Sequence, residues 1–248
     1  AKGPTNPRGN LTLGPDGSFY GTTESGGQNY GGTVFRVTTN GVLTTLVSFS
    51  GYPDGAGPYA GLTLGADGAF YGTTLGGGTN LNGTNDTGTV FRMTTNGTLT
   101  TLVSFTGANG GHPQCKLAIG PDGSFYGTAA YGGTNNDGTV FRVTTNGVLT
   151  TLATFNGTNG ASPQAGLALG LDGNFYGTTV SGGSSNNGTI FQVTASGSLT
   201  TLVNFTGATG AGPYGQLILG RDGNFYGTTD FGGNLNGSYS GGTVFQVT

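Results

Sequence analysis

Hydrolysis of a glycosidic bond takes two carboxylates flanking that bond, and this chain has ten Asp and Glu from which to draw them. Spacing alone accounts for five. Asp16, Asp67, Asp122, Asp172 and Asp222 each precede a Gly and stand four residues ahead of a Tyr. An Asp-Gly pair in that setting is turn chemistry: the short carboxylate closes its own backbone and Gly supplies the positive φ. Glu24 and Asp230 hold matching places, directly after the Phe-Tyr-Gly-Thr-Thr segments of the first and last copies of that motif. They are the one acid pair that would meet if the two ends of the chain came together. Both lie off the innermost strand and no third acid accompanies them, so no catalytic pair is expected.

His112 is the sole histidine. A Ser-His-Asp set or a zinc site needs partners that the spacing does not offer, so His112 reads as a loop residue. Cys115 is also single; it supports no intrachain disulfide framework and reads as a small buried hydrophobe. No Gly-Lys-Ser/Thr and no Asp-x-Asp-x-Asp-Gly loop occurs, which argues against phosphate-loop and calcium-loop chemistry. The expectation is no catalytic residue, no metal, no cofactor and no enzymatic activity.

The elements that position these residues come from a tandem repeat. Asp-Gly-x-Phe-Tyr-Gly-Thr recurs at steps of 51, 55, 50 and 50 residues, and Gly-Thr followed by Val or Ile and Phe travels with it, from Gly32, Gly88, Gly138, Gly188 and Gly242. In the third copy, segments 116–120, 124–128, 139–144 and 149–155 read as four strands, A to D, rich in Leu, Val, Phe, Tyr and Thr. Pro121-Asp122-Gly123 turns A into B, a polar loop joins B to C, and Asn146-Gly147 turns C into D. No stretch has helical periodicity over ten residues. Four antiparallel strands in a ~50-residue unit predict a propeller blade. Apolar residues on both sides of strands C and D fit a blade buried on both faces. The expected fold is all-β: a five-bladed β-propeller forming one domain over residues 1–248, with blades at approximately 9–49, 60–105, 115–155, 165–205 and 215–248. A β-solenoid is the rival, but its shorter parallel rungs would not need Asn-Gly hairpins.

The frame of the array leaves one strand out. Pro7 aligns with Pro58, Pro113, Pro163 and Pro213, so residues 1–10 read as a loop, and Thr248 falls just after a strand C. Strand D segments are 43–49, 99–105, 149–155 and 199–205. Blade five is therefore expected to lack its outer strand and to present Thr243, Val244, Phe245, Gln246, Val247 and Thr248 as a bare edge. Such an edge pairs with whatever offers a strand. One expected use is self-association with identical chains, propagating head to tail into a filament; the plainer readings are a three-stranded last blade with solvent at its edge, or a chain trimmed from a longer array.

In a meander propeller the B–C and D–A loops share one face, and the A–B and C–D turns share the other. The turn face is nearly uniform, whereas the B–C loops hold 4, 9, 4, 4 and 8 residues. The residue after the loop proline is Arg8, Tyr59, Gln114, Gln164 or Tyr214; before the Gly-Gly pair stand Ser25, Gly76, Tyr131, Ser181 and Phe231. Loops on a rigid scaffold are where binding concentrates, and aromatic rings and amides suit sugars. Tyr59, Gln114, Tyr131, Gln164, Tyr214 and Phe231 are the ligand-site candidates, with glycans as the ligand. The plainer reading is that these rings cover the top of the propeller. Arg36, Arg92 and Arg142 share one strand C position with Gln192 and Gln246, a recurrence that reads as a structural hydrogen bond.

Composition narrows the setting. Seven basic against ten acidic residues give a net charge of −3. There is no basic patch, so no nucleic-acid partner is expected. No run approaches the ~18 apolar residues of a membrane span, and none is expected. A surface of Thr, Ser, Asn and Gly suits an extracellular protein; no charged-then-apolar signal segment opens the sequence, which reads as either a cytosolic protein or a processed mature form, and the second is the expectation. Asn-x-Ser/Thr triplets place glycosylation candidates at Asn82, Asn85, Asn156, Asn187 and Asn236.

The full pattern, L-x-L-G-x-D-G-x-F-Y-G-T-T, then G-G, then G-T-V-F-x-V-T-x-x-G-x-L-T-T-L-x-x-F, resembles the GloVer tandem repeat of bacterial extracellular proteins in all five copies. The resemblance implies secretion, often with a separate C-terminal sorting or anchoring segment, and it implies no catalytic residues. The expected function is a non-enzymatic, secreted structural or adhesive protein of the bacterial surface that self-assembles as a filament subunit. The alternative is a lectin-like, glycan-binding propeller that uses the B–C and D–A loop face.

Overall fold

The computed structural model describes residues 2–79, 86–233 and 241–248. All of the regular structure in these residues is β. After β1 (Lys2–Thr5), the first blade holds β2 (Thr12–Leu13), β3 (Phe19–Thr23), a short β4 (Ser25–Gly27), β5 (Thr33–Val37) and β6 (Leu43–Ser48). Blade two is β7 (Thr63–Leu64), β8 (Phe70–Thr74), β9 (Thr89–Met93) and β10 (Leu99–Ser104). Blade three is β11 (Ala118–Ile119), β12 (Phe125–Ala129), β13 (Thr139–Val143) and β14 (Leu149–Thr154). Blade four is β15 (Ala168–Leu169), β16 (Phe175–Thr179), β17 (Thr189–Val193) and β18 (Leu199–Asn204). Blade five is β19 (Ile218–Leu219), β20 (Phe225–Thr228) and β21 (Val244–Val247), a sheet of three strands in the order β19-β20-β21. The others are four-stranded antiparallel meanders, so the molecule is a five-bladed β-propeller with a three-stranded last blade.

Each blade uses its two faces differently. The Phe of strand B points back to the preceding blade and the adjacent Tyr points forward, as the alternation of a strand requires. Tyr20 meets Phe70, Tyr71 meets Phe125, Tyr126 meets Phe175 and Tyr176 meets Phe225, with ring centroids 4.0–4.3 Å apart. A second series runs outside it: Phe49 on Phe91, Phe105 on Phe141, Phe155 on Phe191 and Phe205 on Phe245, edge to face. Each of the four joints thus has its own apolar cluster. Hydroxyls add a polar register. Thr22, Thr73, Thr128 and Thr178 donate to the carbonyls of Ala60, Cys115, Ala165 and Pro213 in the next blade.

Backbone bridges join Ala56 to Gly76, Gly111 to Tyr131, Ala161 to Ser181 and Ala211 to Phe231, tying each D–A loop to the B–C loop of the blade it enters. At blade one the same contact is longer: β1 pairs antiparallel with β4. The reading of residues 1–10 as loop is corrected at Lys2–Thr5, where the backbone of Ser25–Gly27 offers a pairing edge to the strand despite Pro4.

Both ends of the array are open. Among the described residues no core cluster and no ring pair links blade five to blade one. Leu13 on the back of blade one is 57% exposed, with Leu11, Phe19 and Leu43 beside it, whereas Leu62 and Phe70, the counterparts of Leu11 and Phe19 in blade two, are fully buried. On the front of blade five Ile218 is 70% and Val244 82% exposed, while Val34, Val90, Val140 and Ile190 at the same place as Val244 are 0–1% exposed.

Candidate functional site

The A–B turns are built as the sequence implies. Asp16, Asp67, Asp122, Asp172 and Asp222 each accept, through one carboxylate oxygen, the amide two residues on, and through the other the hydroxyl of the Tyr four residues on. Arg36, Arg92 and Arg142 pair with the first three at 2.7–2.8 Å, and Gln192 donates to Asp172. Partial burial pushes Asp67 upward, but hydrogen bonds from Arg92, the Ala69 amide and Tyr71 outweigh it and hold this carboxyl below the usual range. Burial holds the Tyr71 and Tyr126 hydroxyls above theirs. These contacts hold the turns.

Glu24 and Asp230 do not form a pair either. Glu24 is held by Arg8 at 2.5 Å, and Asp230 is exposed in blade five with its amide donating to the Gly212 carbonyl. No group of three or more His, Cys, Asp or Glu is gathered for a metal among the described residues. Cys115 is buried, its Sγ 3.3 Å from the Thr128 carbonyl, and burial pushes the thiol pKa up.

The six ligand candidates all lie on the loop face but fall into separate groups. Tyr59 lies under Arg8, whose guanidinium carbon is 4.8 Å from the ring centroid. Tyr131 stacks edge to face on His112 at 5.2 Å, and His112 Nε2 lies 3.0 Å from the Asp86 carbonyl. These two rings line a cavity of about 340 Å3 with Gly111, Gly132 and Asn136. Tyr214 and Phe231 flank Gly212, where an added Cβ would lie 3.4 and 3.6 Å from their rings. Gln114 and Gln164 are half-buried. Sequence reasoning missed the roles of Arg8 and His112. The spacing held the signal for Arg8, since it stands 51 residues before Tyr59 at the same loop position.

Of the glycosylation candidates, Asn82, Asn85 and Asn236 lie outside the described residues. Asn156 is exposed and its side-chain oxygen accepts from Thr158 and the Asn159 amide. Asn187 is half-buried, and Thr189 of its triplet is fully buried, bonded to Thr179.

Fold and repeat together define a tandem-repeat β-propeller protein. The chain belongs to the Gloeobacter/Verrucomicrobia repeat family, whose model matches residues 1–84 and 79–248. No curated protein matches it. Its fold is similar to that of a virginiamycin B lyase from Staphylococcus aureus, at 20% identity and a TM-score of 0.64 over 97% of this chain and 70% of the lyase. It is also similar to a gluconolactonase from Xanthomonas campestris (13% identity, TM-score 0.56, 87% of this chain and 67% of that one). A luciferin-regenerating enzyme matches over 96% of this chain and 76% of its own (16% identity, TM-score 0.57). The expectation of no enzymatic activity is corrected here. Solved structures that share this architecture are named as enzymes, so an all-β propeller without an obvious acid pair does not exclude catalysis. At these identities the likeness shows the fold and carries no residue across.

Proposed function

We propose that this protein is a secreted structural subunit of the bacterial surface that associates with copies of itself head to tail. One observation carries the reading: the two open end faces are the two halves of the joint that the chain builds four times internally. The back of blade one offers Leu11, Leu13, Phe19 and Leu43; the front of blade five offers Tyr226, Ile218 and Val244. At internal joints the counterparts of these residues bury one another, Tyr on Phe. The polar register is complementary as well. Thr228 is exposed where Thr22, Thr73, Thr128 and Thr178 donate to the next blade, and Gly9 holds the loop position of the acceptor Ala60. Contact between two different faces is heterologous, so it builds a ring if the rotation closes and a filament if it does not. Sedimentation velocity across a concentration series, followed by negative-stain microscopy, tests this. Growth into oligomers of stacked arcs is the expected result, and a single sharp monomer peak at high concentration would overturn it.

A second reading rests on the loop face. Three aromatic groups, Tyr59 with Arg8, Tyr131 with His112 and Tyr214 with Phe231, stand there exposed or half-buried. Such rings are suited to stacking on sugars, and a glycan array would show retention lost on Tyr131→Ala.

A further inference from the structure

The loop face between blades two and three holds a corner that lies within the array. Its cavity of about 340 Å3 is lined by Thr87, His112, Tyr131 and Asn136 and otherwise by glycine. The backbone of this corner is repeated in blade four. Gly111 bridges Tyr131 as Ala161 bridges Ser181. The His112 amide donates to the Thr87 carbonyl as the Ser162 amide donates to that of Asp137. Asn136 Oδ1 accepts the Gly132 amide as Asn186 Oδ1 accepts that of Gly182. Where blade four has Ser162 and Ser181, blade three has His112 and Tyr131. Two serines therefore suffice to build the corner, and the two rings are not needed for its fold.

His112 also stands where a side chain is costly. Its φ is +53° and it precedes Pro113. An L residue is strained in that region, and the residue before a proline is driven toward extended backbone. Blades two and five place Gly57 and Gly212 at this position, also with positive φ. Strain retained in a cavity wall points to use. The polar groups of the corner are largely unspent. His112 Nε2 lies 3.0 Å from the Asp86 carbonyl, which can only accept, so Nε2 carries the proton and the neutral ring keeps Nδ1 as an acceptor. The Tyr131 hydroxyl and Asn136 Nδ2 have no hydrogen-bond partner among the described residues. Asp86 and Asp137 adjoin the lining residues Thr87 and Asn136 in the chain, and no Lys or Arg among the described residues lines the cavity.

We infer that this corner binds one neutral hexopyranose ring at the end of a glycan chain. The Tyr131 ring stacks on the apolar C–H face of the sugar. Asn136 Nδ2 donates to one hydroxyl oxygen, and His112 Nδ1 accepts from a neighbouring hydroxyl. The cavity is near the lower limit of roughly 300 Å3 for ligand pockets, so it holds a single ring. The carboxylates of Asp86 and Asp137, with no cation lining the cavity, select against uronic and sialic acids. The inference rests on the glycan-binding reading of the loop face, to which it gives a site and a class of sugar, and is independent of head-to-tail association.

His112 is the sole histidine, so the imidazole C–H lines in the proton spectrum of the untagged chain report on this corner alone and need no variant. Methyl β-D-glucopyranoside or methyl β-D-galactopyranoside should shift these lines saturably, and methyl β-D-glucuronide should leave them in place. Lines that neither neutral glycoside moves, or that the glucuronide moves equally, would overturn the proposal. The double variant His112→Ser, Tyr131→Ser copies the pair that blade four already folds. On an array of neutral and acidic glycans the intact chain should be retained by those ending in a neutral hexose, and the double variant should bind about ten-fold more weakly, the loss of one stacking contact. Equal retention of the double variant would remove this site and leave sugar binding elsewhere on the loop face, whereas no retention of either protein would remove the glycan reading with it.

Discussion

At the scale of single residues, one hydroxyl breaks the repeat. Thr33, Thr89, Thr189 and Thr243 each share a hydrogen bond of 2.8 Å with a strand B threonine: Thr23, Thr74, Thr179 and Thr229. Blade three has Ala129 there, and the buried Thr139 hydroxyl finds no partner. An unsatisfied buried hydroxyl costs about 1–3 kcal/mol. Ala129→Thr should therefore stabilise the protein by about 1 kcal/mol, read as a rise in urea midpoint at unchanged slope.

The turn clusters set the pH response. Asp16, Asp67, Asp122 and Asp172 lie below the usual carboxylate range: burial raises each, but hydrogen bonds from neighbouring amides, hydroxyls and Arg or Asn side chains prevail. A depressed folded-state carboxylate contributes stability that is present above about pH 4 and lost as pH falls below it. Tyr20, Tyr71 and Tyr126 are raised, chiefly by burial; their contribution is present below about pH 10 and lost as pH climbs through the raised value. The melting temperature should stay flat between these limits and fall on both sides. Because the Arg92–Asp67 pair is a third exposed, Arg92→Ala should cost about 1 kcal/mol or less.

At the scale of elements, Phe-Tyr-Gly-Thr carries the design of a blade. Its glycine is needed for space: in blade three a Cβ on Gly127 would lie 2.6 Å from Phe141 Cζ and 2.9 Å from Cys115 Sγ. Gly127→Ala should destabilise by about 1–3 kcal/mol through overpacking, measurable as a lower denaturation midpoint. Strands A to C and the Asp-Gly turns were legible because each rests on local chemistry repeated five times, and the three-stranded last sheet because strand D and its turn recur only four times. Asp-Gly marked the turn from strand A to strand B. The pairing of Lys2–Thr5 with Ser25–Gly27 was not legible, since Gly and Pro carry loop signals and the contact depends on where the B–C loop lies. The grouping of Arg8 with Tyr59 and of His112 with Tyr131 depends on the blade-to-blade step, which no single repeat encodes.

At the scale of the whole molecule, the head-to-tail proposal rests on two unlike faces exposed among the described residues, one on blade one and one on blade five. Repeats that contact only their neighbours bury a face against each of them. Here the exposed faces are Leu11, Leu13 and Phe19 on blade one and Ile218 and Val244 on blade five. The most direct test is to mix two variants, each blocked at one face. Leu13→Glu closes the back of blade one, and Ile218→Glu closes the front of blade five. Each alone should sediment as a monomer, and an equimolar mixture should give a heterodimer that grows no further, because the intact front of the first docks on the intact back of the second. Oligomers from either variant alone, or monomers only in the mixture, would contradict head-to-tail association through these faces.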